Sequence, residues 1–233
     1  MARRTLAAYL GGIDTPHFDG FGPDAFRFLE ELAAEQNREW FLSNKTRYEA
    51  QVRGPLAALV VDVSTELADR GVHLRGDPKS ALFRINRDIR FSNDKRPYKT
   101  TAGAVLSRGG SKADPGILYI HVAATECFVA AGFYHPDPPL LASIRRTMAE
   151  RPATWREVND ALAGVGLAFS REDRLVRTPK GFEHVSEEDV LDGLKQKSFV
   201  VRRTLEREAV GAASLVGRIA DFAEDALPVF RLA

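Results

Sequence analysis

The run from Ile117 to Tyr134 constrains the fold more than any other part of the chain. Leu118, Ile120 and Val122 are apolar at every second position, and after Ala123–Glu126 the pattern resumes at Cys127, Val129, Ala131 and Phe133. Successive side chains of a strand point to opposite faces, so this period of two predicts a hairpin with one wholly apolar face turned to a core. A tight turn at Thr125-Glu126 sets His121 opposite residue 130 or thereabouts. The other face carries Ile117, Tyr119 and His121 beside Phe128, Ala130, Gly132 and Tyr134. It reads either as the floor of a groove or as a surface under a helix, with Gly132 letting Tyr119 lie flat.

Helical patterns flank this hairpin. Gly22-Pro23-Asp24 opens a first helix with Phe26, Leu29, Leu32 and Ala33 on one face. Asn37 is the expected N-cap of a second, carrying Trp40, Phe41, Asn44, Tyr48 and Val52, and Gly54-Pro55 restarts a third that ends at Gly71. Val72–Leu74, Ala81–Ile85 and Ala102–Ser107 are short candidate strands. Beyond the hairpin, Asp137 and Pro138-Pro139 open a helix with Leu141, Ile144 and Met148, and Pro152 opens another with Trp155, Val158 and Leu162. Leu167–Phe169, Leu175–Thr178 and Lys197–Val201 read as strands. Ser186-Glu187-Glu188-Asp189 resembles a capping box for a helix through Leu194, and Val210–Ala226 is a last amphipathic helix. Helices, then a mainly antiparallel sheet, then helices predict an α+β fold. Residues 1–17 are expected to be a flexible tail and 18–233 a single domain. Arg3 and Arg4 before Leu6–Leu10 imitate an export signal, but Gly11, Gly12 and Asp14 interrupt the apolar stretch and no small-x-small cleavage site follows.

Composition excludes several functions. A formal net charge of +1 is at odds with a protein that coats nucleic acid or an anionic membrane with its whole surface. Cys127 is the single cysteine, so the chain has no internal disulfide or cysteine zinc site, and a reducing, cytoplasmic setting is expected. No apolar run approaches the ~18–20 residues that span a bilayer, so no membrane partner is expected. Phosphate loops, dinucleotide fingerprints, H-E-x-x-H and G-x-S-x-G elbows are missing, and no cofactor or metal is predicted. His121, Glu126 and His135 lie on or beside one hairpin, but the expected register separates the two imidazoles.

The unusual stretch is Phe83–Thr100. Arg84, Arg87, Arg90, Lys95, Arg96 and Lys99 face only Asp88 and Asp94 as local acids, while Ile85, Ile89 and Phe91 are interleaved among them. Such a segment is not wholly solvated, and a guanidinium held against the protein body needs a partner; its planar fork of donors suits carboxylate or phosphate oxygens. The partners are either acids of the same chain or an anionic ligand.

At these residues the sequence resembles domain-of-unknown-function family 2461, whose hallmark is an R-D-x-R-F-S-x-D-K-x-P-Y-K-T run. Arg87-Asp88-Ile89-Arg90-Phe91-Ser92-Asn93-Asp94-Lys95-Arg96-Pro97-Tyr98-Lys99-Thr100 fills every fixed position. Phe26–Leu32 with Asn37-Arg38-Glu39-Trp40-Phe41, then Gly132-Phe133-Tyr134-His135-Pro136 with Leu140 and Arg145, extend the likeness. So do Pro179-Lys180-Gly181-Phe182 and Leu194-Lys195-Gln196-Lys197-Ser198-Phe199. The resemblance implies one fold across the chain and brings no activity with it.

Three functions are open to such a chain. In the first, a small phosphate- or carboxylate-bearing ligand is held by Arg84, Arg87, Arg90, Ser92, Lys95, Lys99 and Thr100, with Lys180 and Lys197 as further candidates. Asp88 then orients an arginine or acts as a base, and Tyr98 or His121 transfers protons. In the second, the motif is an internal salt-bridged clasp in a structural or interaction protein. In the third, the cations track nucleic-acid phosphates while Phe91 or Tyr98 stacks on bases.

Overall fold

The computed structural model describes residues 17–233; the expected tail therefore lies, except for His17, outside the described residues. The fold is α+β, with helices on both sides of a four-stranded antiparallel sheet along the sequence. The chain resolves into two compact units. The first runs up to Asp114 and includes Tyr119–Val129 and Thr204–Asp221; the second comprises Pro115–Leu118, Ala130–Arg203 and Phe222–Ala233.

In the first unit, α1 (Pro23–Ala34) begins at its proline and buries Phe26, Phe28, Leu29 and Leu32. Asn37 caps α2 (Arg38–Ser43), its side chain accepting from the Trp40 N–H at 2.8 Å. The expected restart at Gly54-Pro55 is not a break. α3 (Lys45–Tyr48) passes through a π turn at Glu49–Arg53 into α4 (Gly54–Asp69), with the Gly54 N–H bonded to Glu49 O. Pro55 has no N–H to give to an α-helical ladder, and the wider turn accommodates it within one continuous helix. Phe28 packs on Trp40 and Tyr48 with ring centroids 5.6 and 5.8 Å apart.

The strands β1 (Thr101–Ser107), β2 (Ile117–Ala123), β3 (Cys127–Phe133) and β4 (Phe199–Thr204) lie in the order β1-β2-β3-β4. Leu118, Ile120, Val122, Cys127, Val129, Ala131 and Phe133 are all buried, as the period of two requires. The turn is one residue earlier than expected: the Ala123 N–H donates to Glu126 O at 3.1 Å, leaving Ala124-Thr125 as the loop. His121 consequently lies against Phe128, with rings stacked at 4.4 Å.

Other expected strands shrink to single bridges. Ala81–Ile85 keeps one bridge to β1, Leu82↔Ala104, and Leu167–Phe169 one to β4, Phe169↔Val201, while next to Val72–Leu74 and Leu175–Thr178 the bridges fall just outside, at Arg75↔Ser107 and Arg174↔Gln196. Their short apolar runs are too broken by Gly, Pro and Asp to sustain a ladder. Nor does Lys197 begin a strand, since β4 starts at Phe199.

In the second unit, Asp137 caps α5 (Pro138–Glu150) by accepting from the Leu140 N–H at 2.9 Å. α6 (Pro152–Gly164) buries Trp155, whose ring stacks on Phe169 at 5.3 Å. The expected capping box does not form: α7 (Glu188–Leu194) starts behind Glu187 with no side-chain cap. The last predicted helix starts later than expected, as α9 (Leu215–Asp225); Val210 instead ends a short α8 (Arg207–Val210), and a 3-10 turn follows at Leu227–Leu232.

Gly132, at φ 131°, lets the β4 backbone approach: a Cβ there falls 2.0 Å from Phe199 O. It is Gly103 whose missing side chain admits Tyr119, the phenol oxygen standing 2.8 Å from where that Cβ would be.

Candidate functional site

The motif is a hairpin-like loop standing off the β1 edge. Its base is the Asn86↔Tyr98 bridge, closed by Arg87 N–H to Pro97 O and Lys99 N–H to Ile85 O, both 2.8 Å. Tyr98 locks this base into the first unit. Its ring is buried and stacked on Phe41 at 4.4 Å, and its N–H donates to Gln36 Oε1. A phenol so buried belongs to the packing rather than to a solvent-facing site.

Within the loop, most cations meet partners from the loop itself. Asp94 takes Arg87 and Arg96, each at 2.6 Å, and these two guanidinium groups, Arg96 first, hold its carboxyl far below the usual carboxylate range. Asp88 is gripped by the fork of Arg90 at 3.0 and 2.7 Å, which also lowers its pKa and engages it as an anchor. Ser92 Oγ accepts from the Asp94 N–H, and Lys95 Nζ donates to Ile89 O at 3.1 Å. Phe91 stands at the tip, 95% exposed.

The base of the loop differs. Among the described residues neither Arg84 nor Lys99 makes an ion pair, although the charge of Arg84 helps to lower the Asp88 pKa, and a third cation stands near Lys99. Lys112, from the loop after β1, donates to Leu82 O at 2.8 Å and has no acid either. Phe83 is the shared support: Lys99 Nζ lies 5.1 Å and Lys112 Nζ 5.3 Å from its ring centroid. Burial, then the positive charges of Arg84 and Lys112, pull the Lys99 ammonium below its ordinary pKa. Thr100, half-buried, follows directly in the chain.

Phe83 in turn meets the outer face of the hairpin, edge-on to Tyr119 at 5.9 Å. The Tyr119 hydroxyl and His121 Nδ1 share a hydrogen bond of 3.0 Å, and His121 lies flat on Phe128. The direction of that bond follows the imidazole tautomer. The expected groove floor is thus an aromatic ledge of Phe83, Tyr119, His121 and Phe128, bordered at Phe83 by the like charges of Lys99 and Lys112.

Lys180 and Lys197 belong to the second unit. Lys180 is exposed in a turn before Gly181, whereas Lys197 pairs with Asp173 at 2.9 Å, beside His135 at 3.4 Å from the same carboxylate. Among the described residues, no three His, Cys, Asp or Glu groups are placed to hold a metal ion. No helix among them is long and apolar enough to cross a membrane.

Sequence reasoning missed Lys112 and Phe83 as site residues. Lys112 sits in a Gly-Gly-Ser-Lys loop with no chemical signature, and nothing in its position along the chain announces that it folds back on Leu82.

Comparison with curated proteins and with solved structures finds no match. The family model described as "Conserved hypothetical protein (DUF2461)" matches residues 24–231, nearly the whole chain, and the protein belongs to that family.

Proposed function

We infer that this protein binds a small anionic ligand bearing phosphate or carboxylate at the base of the motif loop. The observation that carries the reading is the convergence of Lys99 and Lys112 on Phe83, with the charge of Arg84 acting on Lys99 and no ion pair to either lysine among the described residues. Holding like charges together costs free energy that an anion relieves on binding. The ligand's acidic group sits among the three cations. Its remainder lies along Tyr119 and His121, where the hydrogen-bonded pair supplies or accepts a proton. A cytoplasmic setting is part of this reading, supported by a single thiol that is buried.

The internal clasp is favoured for the outer half of the motif. Arg87, Arg90 and Arg96 are spent on Asp94 and Asp88, so they shape the loop rather than hold the ligand. Lys95 likewise serves a backbone carbonyl.

Titration calorimetry with inorganic phosphate, pyrophosphate and citrate tests the site. Saturable binding is expected in the wild type, and weakening by at least about tenfold in Lys99→Gln and Lys112→Gln. Arg90→Gln, whose partner is internal, leaves binding unchanged. Equal binding by all four proteins removes the site. Binding only to oligonucleotides, with a steep salt dependence, replaces it by the nucleic-acid reading.

A further inference from the structure

The lysines of the motif loop and its base are engaged unequally. Lys95 Nζ donates to Ile89 O at 3.1 Å and Lys112 Nζ to Leu82 O at 2.8 Å. Lys99 Nζ has neither an acid nor a hydrogen-bond acceptor among the described residues. It stands 5.1 Å from the centroid of the Phe83 ring, which Lys112 Nζ approaches at 5.3 Å. An acceptor or an anion stabilises an ammonium ion, whereas desolvation and a like charge favour the neutral amine. The face of a phenyl ring attracts a cation only weakly at a partly exposed position. Burial and the charges of Arg84 and Lys112 accordingly hold Lys99 below the ordinary pKa of a lysine.

A neutral lysine amine is a nucleophile, and desolvation or a neighbouring cation is how proteins prepare one for attack on a carbonyl. The backbone fixes this amine in place. The Lys99 N–H donates to Ile85 O at 2.8 Å, and the preceding residue, Tyr98, is stacked on Phe41. Small molecules reach it from outside, since Phe83 and Lys112 are exposed and Lys99 is half-buried. A carbonyl compound with an acidic group suits both features: the cations attract its charge, and its carbonyl carbon accepts the amine.

We propose that Lys99 forms an imine with small carbonyl compounds that bear phosphate or carboxylate. The proposal deepens the anion-binding reading and rests on it. The Nζ lone pair forms a bond to the carbonyl carbon while the C=O π pair moves to oxygen, which takes a proton as the nitrogen gives one up. A further proton from solvent lets that oxygen leave as water, and the nitrogen lone pair closes the C=N bond. The protonated imine keeps one positive charge at position 99, so attraction for the acidic group persists.

The test incubates the full chain near neutral pH with pyruvate or dihydroxyacetone phosphate and sodium cyanoborohydride, which reduces an iminium to a stable secondary amine. Intact-mass and peptide mass spectrometry read the adduct. It forms on Lys99 at least about tenfold faster than on Lys95 or Lys180, and at least about tenfold faster than with the uncharged methyl pyruvate or dihydroxyacetone. Lys99→Arg removes it from the intact mass. Labelling spread evenly over the lysines, equal labelling by the uncharged compounds, labelling that survives Lys99→Arg, or no labelling each overturns the proposal. Calorimetry with inorganic phosphate on the same preparation separates the two readings. Phosphate binding without an adduct removes the imine and leaves the anion site, whereas absence of both removes both.

Discussion

Replacing Lys99 by methionine isolates the physical basis of the anion site. Methionine keeps an unbranched apolar side chain beside Phe83 and removes the charge. Two effects oppose each other. The lost attraction between ammonium and ring costs about 0.5–1 kcal/mol at a partly exposed position. Against this stands the repulsion that is relieved. Lys99 and Lys112 both lie close to one ring centroid, which puts their nitrogens at most about 10 Å apart. At about 8–10 Å two like charges repel by about 0.4–0.5 kcal/mol in bulk water and about 2 kcal/mol at an effective dielectric of 20. Arg84 adds a second repulsive partner, and the ammonium's desolvation acts in the same direction. Screening by physiological salt trims these terms, so the variant gains about 0.5–1.5 kcal/mol, or about 1–6 °C in melting temperature. The pH dependence has a fixed sign. Lys99 titrates lower in the folded chain than at its ordinary 10.5, so between the two values the unfolded chain binds more protons and stability rises with pH. Below that window the destabilisation is fully present. Urea denaturation of wild type and variant from neutral pH to pH 10 measures both effects, and the variant lacks Lys99's share of the rise. A loss exceeding about 1 kcal/mol in Lys99→Met refutes the reasoning, because it means that the ammonium has a stabilising internal partner.

Arg87→Ala opens the motif loop without unfolding the unit, because Tyr98 remains anchored on Phe41 and Gln36. Hydrogen exchange of the backbone amides at positions 87 and 99 accelerates while the melting temperature moves by less than about 3 °C. The Asp94 carboxyl, depressed by Arg96 and Arg87, contributes stability that is fully present above its ordinary pKa of 3.8 and is lost only as pH falls well below it. Carbon-detected NMR sees it ionised at pH 3, and protonation there contradicts the pairing. Gly132→Ala destabilises by more than about 3 kcal/mol, since φ 131° and the Phe199 carbonyl both exclude a Cβ. Calorimetric melting checks it. Burial pushes the Cys127 thiol up, so Ellman's reagent labels it only at the rate of unfolding; immediate labelling of native protein shows that the thiol is accessible.

Elements whose causes are local were legible in the order of residues. The period of two in Leu118–Val122 and Cys127–Phe133 decides which face is buried, and it does so whatever the register, because moving the turn by one residue changes the opposing pairs by two and keeps every side chain on its face. Asn37 and Asp137 cap their helices because a side-chain oxygen reaches an N–H three residues on. The family motif was likewise legible as a charged segment too apolar to be solvated throughout. Which of its cations stay unmatched was decided by tertiary structure. Asp94 is seven residues from Arg87 and two from Arg96 yet engages both, so the loop neutralises its own outer half. Lys99, at the foot of the same loop, finds Lys112 and Phe83 instead of an acid. Periodicity and capping act within a few residues of chain, where covalent geometry fixes distance. Charge pairing depends on separation through space, and only the packed chain sets that.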